Sequence, residues 1–363
     1  MKNSSNKIFI GTMSGTSYDG IDVCAISVDK EIKLLYFSSF GYPPKLRKEI
    51  ASVIENQVLS LRLYGELNIK IGHAFSKAIN AFIKKNNIAK THVSAIGLSG
   101  QTLWHQPSGK YPFSMQAGDP VIVAQECGIK VVSDFRNDHI RLGGEGAPLV
   151  PEFHQKIFSS LKQARLIINI GGIANYSYLT KEKGFIGSDS GPGNALIDSY
   201  CQKYLNCNFD RKGLIARKGS IHQPSLKKML AHAFFQKRDP KSTGKETFNL
   251  QFIPQNLLKH TPENILATLT ELTAVSIARV IKTKEKSLKE VILCGGGINN
   301  TFMLERISHY TALPLCSSEL FGYQPQSIEA MAFGWLARQR VNKQPLIVKN
   351  NKGVLGKITT FKL

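Results

Sequence analysis

The chain has 363 residues, 42% apolar and 20% charged, the balance of a soluble globular protein with room for about two domains. Its formal net charge is +21, but the lysines are dispersed in short groups such as Lys282, Lys284 and Lys286, with no aromatic RNA-binding pattern and no zinc-finger spacing. The charge therefore reads as a solvated surface suited to anionic small molecules, not as a nucleic-acid face. No apolar run approaches the roughly 18 residues of a membrane span, and the polar start Met1 to Asn6 passes straight into a strand, so neither membrane nor signal peptide is expected.

In chain order, the apolar runs Ile8-Phe9-Ile10 and Ile21 to Val28 flank the small-residue stretch Gly11-Thr12-Met13-Ser14-Gly15-Thr16-Ser17-Tyr18-Asp19-Gly20, and read as a strand–turn–strand hairpin. Lys33 to Phe40 follows as a third strand, Pro44 opens helical spacing, and Leu61 to Asn86 has the spacing of one long helix. Val93 to Leu98 is a strand ending in Ser99-Gly100-Gln101-Thr102, with His105 and Pro107 in the next loop. A helix is expected over Pro120 to Cys127 and a strand over Ile129 to Ser133, then a polar, glycine-rich run from Asp134 to Pro148. The grammar then restarts: strand Arg165 to Ile170, turn Gly171 to Asn175, strand Tyr176 to Leu179. Strand, small polar turn, helix also occurs twice, at Ser99-Gly100-Gln101 and at Ser188 to Asn194. This weak repeat points to two related lobes with mixed α/β sheets, 1–162 and 163–363, a return of the last segment to the first lobe being left open. The second lobe holds a polar loop from Asp239 to Lys245, a helix over Asn264 to Ile281, a strand over Glu290 to Leu293, a helix over Gln326 to Arg338 and a last strand over Lys357 to Phe361. Six cysteines without a C-x-x-C pair read as reduced thiols in a cytoplasmic protein, with no metal cluster.

The chemistry concentrates at few places. Glycines and hydroxyls in the first hairpin suit phosphate oxygens, and Asp19 and Asp22 could seat a hydrated magnesium. The competing reading is a hairpin whose Ser and Thr satisfy their own backbone. Gly295-Gly296-Gly297, between strand and helix, would let a nucleobase or ribose lie against the backbone, or else is a plain turn. Asp189, just before a Gly-Pro-Gly turn and a helix N-terminus, is placed to serve as a general base, unless it or Asn194 merely caps the helix. Arg136, between Asp134 and Asp138, could hold a hydroxylated or anionic substrate or sit in a local salt bridge. Glu329 is a lone acid in an apolar helix, and His105 and His139 read as hydrogen-bonding residues of polar loops.

Together with Gln116 to Pro120, Gly146 to Pro151, Asn169 to Asn175 and Lys241 to Gly244, these motifs resemble, in order and over nearly the whole chain, the anhydro-N-acetylmuramic acid kinases. The resemblance implies an actin-like, two-lobed sugar-kinase fold with duplicated mixed sheets flanked by helices, ATP in the cleft, Mg2+ and a homodimer. It implies a bacterial cytoplasmic enzyme of cell-wall recycling. Water opens the 1,6-anhydro ring of anhydro-N-acetylmuramic acid, and O6 receives the γ-phosphoryl group. Asp189 would be the catalytic base. Gly11 to Gly20 and Asp22, with Gly171 and Gly172 facing them, would cradle the nucleotide, and Gly295 to Gly297 its adenosine. Asp19 would hold the metal, and Gln101, Arg136, Asp138, Asn194 and Glu329 the sugar. The chain departs from the family at Ser99, where histidine is usual, at His139, Glu145 and Arg141. Rival readings are an ordinary sugar kinase of the same fold acting on a free hydroxyl, an ATP-driven binding protein and, from charge alone, a nucleic-acid binder.

Overall fold

A computed structural model describes residues 7–15, 18–56, 58–182, 184–244 and 246–361. The chain divides into two units, one running to Leu149 and resuming at Ser327, the other Val150–Gln326.

The first unit contains β1 (Ile8–Met13), β2 (Gly20–Val28), β3 (Ile32–Gly41), α1 (Pro44–Asn56), α2 (Leu61–Lys85), β4 (Val93–Gly97), β5 (Gln101–Gln106), β6 (Phe113–Ala117), α3 (Pro120–Cys127), β7 (Val131–Ser133) and α4 (Phe135–Arg141). The second contains α5 (Pro151–Phe158), β8 (Arg165–Ile170), β9 (Ile173–Leu179), β10 (Phe185–Pro192), α6 (Ala195–Tyr204), α7 (Gln223–Leu230), α8 (Ala233–Gln236), α9 (Pro262–Lys284), β11 (Val291–Cys294), α10 (Thr301–His309) and β12 (Leu315–Ser317). The first unit is completed by α11 (Ile328–Val341), β13 (Leu346–Val348), β14 (Asn351–Gly353) and β15 (Lys357–Thr359).

The two main sheets repeat one plan. The first orders its strands β15-β7-β4-β1-β2-β3 and the second β12-β11-β8-β9-β10. In each, a three-strand antiparallel meander is joined through its first strand to two parallel strands: β4 and β7 in one, β11 and β12 in the other. The expected duplicated, mixed, helix-flanked α/β sheets are thus present, and the repeat sensed near residues 11 and 171 is a repeat of topology.

Local sequence accounts for the elements. In α2, Leu67, Ile71, Phe75, Ile79 and Phe82 recur at helical spacing and are buried, while the Ser60 side chain accepts from Leu63 N–H at the N-terminus. Asp119 and Pro120 open α3, and Gly128 ends it at a φ of 67°. The helix α11 lies on β1 and β4 at a distance only glycine allows. A Cβ on Gly11 would come within 1.9 Å of the Ala330 carbonyl oxygen, and one on Gly97 within 2.0 Å of that of Phe333.

Several expectations are corrected. The boundary expected near residues 159–163 lies before α5, because α5 packs on β9 and β10 of the second unit. Ser99-Gly100-Gln101 leads into a strand, not a helix: Gln101 to Gln106 pairs with Phe113 to Ala117, so His105 lies in a strand. Arg136 sits on the short helix α4 within the run taken as a polar loop. An apolar helix long enough to cross a membrane does exist by length and composition, Pro262–Ser287, but 78% of its apolar window is buried inside the protein. Polar Thr and Glu residues scattered through that segment hide its apolar character in a linear reading.

Two glycine substitutions separate these effects. Gly97→Ala forces a methyl into the α11 backbone and is expected to destabilise by about 2–4 kcal/mol. Gly65→Ala, inside α2 with nothing within 4 Å of the added carbon, is expected to stabilise by up to about 1 kcal/mol. Urea midpoints of the two variants moving in the same direction would contradict this account.

Candidate active site

In the first unit the turn between β1 and β2 is braced from within. Ser14 Oγ lies 2.7 Å from Gln101 Oε1 and 2.8 Å from the Gly20 carbonyl oxygen, and accepts from the Tyr42 hydroxyl at 3.0 Å. Gln101 is fully buried, and its Nε2 donates to the Gly15 carbonyl at 3.2 Å. Thr12 Oγ1 donates to the Gly97 carbonyl at 3.1 Å. The hydroxyls of Thr12 and Ser14 therefore bond to the protein's own backbone and side chains, and Gln101 supports the turn. Gly11 and Gly20 are also explained by packing: their absent Cβ atoms make room for α11 and for the Phe40 carbonyl. Met13 pairs with Asp22 in the ladder, and Tyr18 is buried at a φ of 44°. Thr16 and Ser17 lie outside the described residues, as does Lys245 of the later loop.

Asp19 is exposed at the end of this turn and Asp22 follows on β2. Burial pushes the Asp22 carboxyl up to about 6; the Ser39 hydroxyl, which donates to it, opposes this, and the charge of Asp19 adds to it. Two carboxylates that repel each other, one of them strained as an anion, form a donor set suited to a hard divalent cation. Among the described residues no group of three or more His, Cys, Asp or Glu converges as a metal site. A cation at this turn would therefore depend on these two carboxylates and on oxygens of a ligand.

Arg136 donates from Nη1 to the Gly146 carbonyl at 3.0 Å, and its guanidinium lies 5.9 Å from the Phe333 ring centroid. Phe333 is four residues beyond Glu329 on α11, so the two share a helix face, and Arg136 and Glu329 belong to one neighbourhood. Asp138 does not join them: its carboxylate accepts from Arg141 at 2.6 Å and from Gly356 N–H at 2.8 Å. Asp134 pairs with Lys357 at 2.7 Å.

In the second unit Asp189 lies within β10, one residue before a bulge that shifts the register against β9 between Asp189 and Gly191. The extra residue, Ser190, donates to the Ala174 carbonyl at 3.0 Å. Bulges of this kind re-aim a side chain at the edge of a sheet. Asp189 is buried, and one of its oxygens, Oδ2, accepts from Thr243 N–H at 2.8 Å. The loop carrying Thr243 is fastened in turn. Asp189 N–H donates to the Lys241 carbonyl at 2.9 Å, Lys241 N–H to Ser188 Oγ at 3.0 Å, and Tyr176 and Ser188 donate to the Asp239 carboxylate. Asp189 is thus not a helix cap. Asn194, at the N-terminus of α6, makes no side-chain cap either: its Nδ2 donates back to the Gly171 carbonyl at 3.2 Å.

The carbonyls of Gly171 and Gly172 accept from the N–H groups of Gly193, Asn194 and Ala195, which ties the second hairpin turn to the start of α6. Gly295 and Gly297 are required by packing on Asn169 and Ile170, but an added carbon on Gly296 meets nothing within 4 Å. Gly296 is the member of the triplet with an open side.

Residues 7–360 match the family described as anhydro-N-acetylmuramic acid kinase. A relative of that name from Gamma-proteobacterium EBAC31A08 is 45% identical over 363 residues, 99% of this chain and 100% of that one. Relatives of the same name from Saccharophagus degradans and Sulfurovum sp. are 40% and 42% identical, covering 93% and 95% of this chain and the same shares of theirs. The chain belongs to the anhydro-N-acetylmuramic acid kinase family.

Within this kinase the departures noted in the sequence have local explanations. Ser99 Oγ accepts from Ser14 N–H at 3.2 Å, so a small hydroxyl here serves the turn. His139 Nδ1 accepts from Gly146 N–H at 2.9 Å; burial, then the charges of Arg136 and Lys349, hold it down to about 4, so it is neutral at pH 7. Glu145 pairs with Lys349 at 3.1 Å. With Asp134, Arg141 and Asp138, these residues bind α4 and its loop to the C-terminal segment. Sequence reasoning missed that mesh because its partners lie some two hundred positions apart.

The raised Asp22 has a consequence in pH. The native state binds this proton more tightly than the unfolded chain, so native stability falls as pH rises from 3.8 through about 6, and the whole cost stands above that. Asp22→Asn keeps an acceptor for Ser39. Compared with the parent at equal pH, it is expected to be more stable at pH 7.5 by about 1–3 kcal/mol and equal at pH 4. Identical urea midpoints at pH 7.5 would remove the assignment.

Proposed function

We propose that the enzyme uses ATP and water to convert 1,6-anhydro-N-acetylmuramic acid into N-acetylmuramic acid 6-phosphate and ADP, in bacterial cytoplasmic recycling of cell-wall fragments. The observation that carries this reading is Asp189, held by a backbone N–H on a bulged strand in a chain that matches its family from end to end. Its carboxylate takes a proton from water as the water oxygen bonds to the anomeric carbon. The C1–O6 bond breaks, its electron pair stays on O6, and that oxygen accepts the phosphoryl group. Ring opening thus supplies the nucleophile, and the protein's part is alignment.

In the first unit, Met13, Gly15, Tyr18 and Asp19 border the turn assigned to the phosphates, with Thr16 and Ser17 between them. Asp19 and Asp22 would hold Mg2+, which neutralises charge on the phosphate oxygens during transfer. Arg136 and Glu329, brought together by Phe333, are assigned to the sugar. In the second unit, Gly171 and Gly172 are assigned to the phosphates, Gly296 to the approach of the adenosine, and Asn194 to keeping the glycine turn in place. The enzyme is proposed to act as a homodimer.

The test is one incubation with ATP, Mg2+ and the anhydro sugar in oxygen-18 water. Solvent label on the anomeric carbon of the sugar phosphate is expected; its absence would favour a kinase acting on a free hydroxyl. Asp189→Asn is expected to lower kcat by about a thousandfold or more while ATP binding by calorimetry is retained. Turnover near that of the parent would exclude Asp189 as the base.

A further inference from the structure

Three strands of the second unit place polar side chains in one register. Asp189 on β10 lies opposite Asn175 on β9, and Asn175 opposite Asn169 on β8. Directly opposed residues leave the same face of a sheet, with Cβ atoms about 4.5–5.5 Å apart. The two asparagines meet different surroundings. Asn169 is buried, and its amide oxygen takes the thiol of Cys294 at 3.8 Å. The amide oxygen of Asn175 is also buried, yet has no hydrogen-bond partner among the described residues. The hydroxyls of Ser242 and Thr243, on the loop whose N–H grips Asp189, are buried and unpartnered as well. A buried acceptor left unpaired is costly, and such groups in a native structure point to a water or ligand. Here they gather about one carboxylate.

We propose that Asn175 is a further catalytic residue, whose amide oxygen holds one hydrogen of the nucleophilic water while Asp189 removes the other. The proposal rests on the reading of the reaction given above. In the step, the water oxygen bonds to C1 as C1–O6 breaks with its electron pair on O6, and O6 bonds to the γ-phosphorus of ATP as ADP leaves. One water proton goes to Asp189 and then to solvent. The other remains on the new anomeric hydroxyl, and it is this hydrogen that Asn175 accepts. A water with both hydrogens held has a lone pair fixed in direction, which is the orientation term an in-line attack requires.

The experiment compares Asn175→Ala and Asn175→Asp in steady state from pH 5 to 9, beside the oxygen-18 incubation of the parent. Asn175→Ala is expected to lower kcat by about 30- to 100-fold, with KM for ATP changed less than about twofold. Asn175→Asp keeps an oxygen acceptor in place and is expected to recover about tenfold of that loss at pH 9. Its acid limb is expected to rise by about one pH unit, because a second carboxylate now disfavours the charge on Asp189. A merely structural asparagine would lose activity in both variants with no recovery in Asn175→Asp at pH 9, while the limb reports only that the new carboxylate lies near Asp189. Asn175→Asp differs by one group of equal size and carries the test if Asn175→Ala does not fold. Label at C1 in the parent with no recovery in Asn175→Asp overturns the role of Asn175 alone; no label at C1 overturns the reaction and this role together.

Discussion

A backbone donor, the N–H of Thr243, holds the carboxylate of Asp189 from outside the strand that carries it. A hydrogen bond to an anion from a backbone group is strong and directional, and it favours the charged form that a base requires. The donor stays in place only because the preceding residues are fastened: Lys241 to Ser188 and to the Asp189 backbone, and Asp239 to Tyr176 and Ser188. Tyr176 is almost wholly buried, and burial raises its hydroxyl far above the usual tyrosine range, with the neighbouring Asp239 carboxylate reinforcing this. It thus remains a proton donor at any working pH. The chemistry of one buried carboxylate on an edge strand is therefore referred back to the core of its unit.

The first unit solves a similar problem with side chains. Its turn between β1 and β2 holds Ser14 at the centre of contacts from Tyr42, Gln101 and Ser99. The hydroxyls of Thr12 and Ser14 are internal struts of the turn. What they hold in position is backbone, which suits a ligand that is recognised by N–H groups and charge.

This explains which parts of the molecule were legible in advance. Strong periodicity placed α2, α9 and α11, and alternation of apolar runs with glycine turns placed β1, β2, β8 and β9, because these signals are local. The same letters hid opposite roles at Gly11 and Gly296: one is demanded by a helix crossing that no local window contains, the other faces open space. The hydrogen bonds of Gln101 to Ser14 and of Asp138 to Gly356 N–H were hidden because those partners sit far away in the chain. Asn175 gave no signal of its own. Only strand register sets it beside Asp189, and register is a property of the sheet.

The first unit is discontinuous, and this bears on how the protein is made. Its β15 strand, and the α11 helix seated on Gly11 and Gly97, follow the whole of the second unit in the chain. Val150–Gln326 has by then been synthesised in full, so the two units cannot mature in the order in which they begin. Until α11 is made, β1 and β4 lack the helix that covers them, and the nascent first sheet is an apolar surface awaiting its lid.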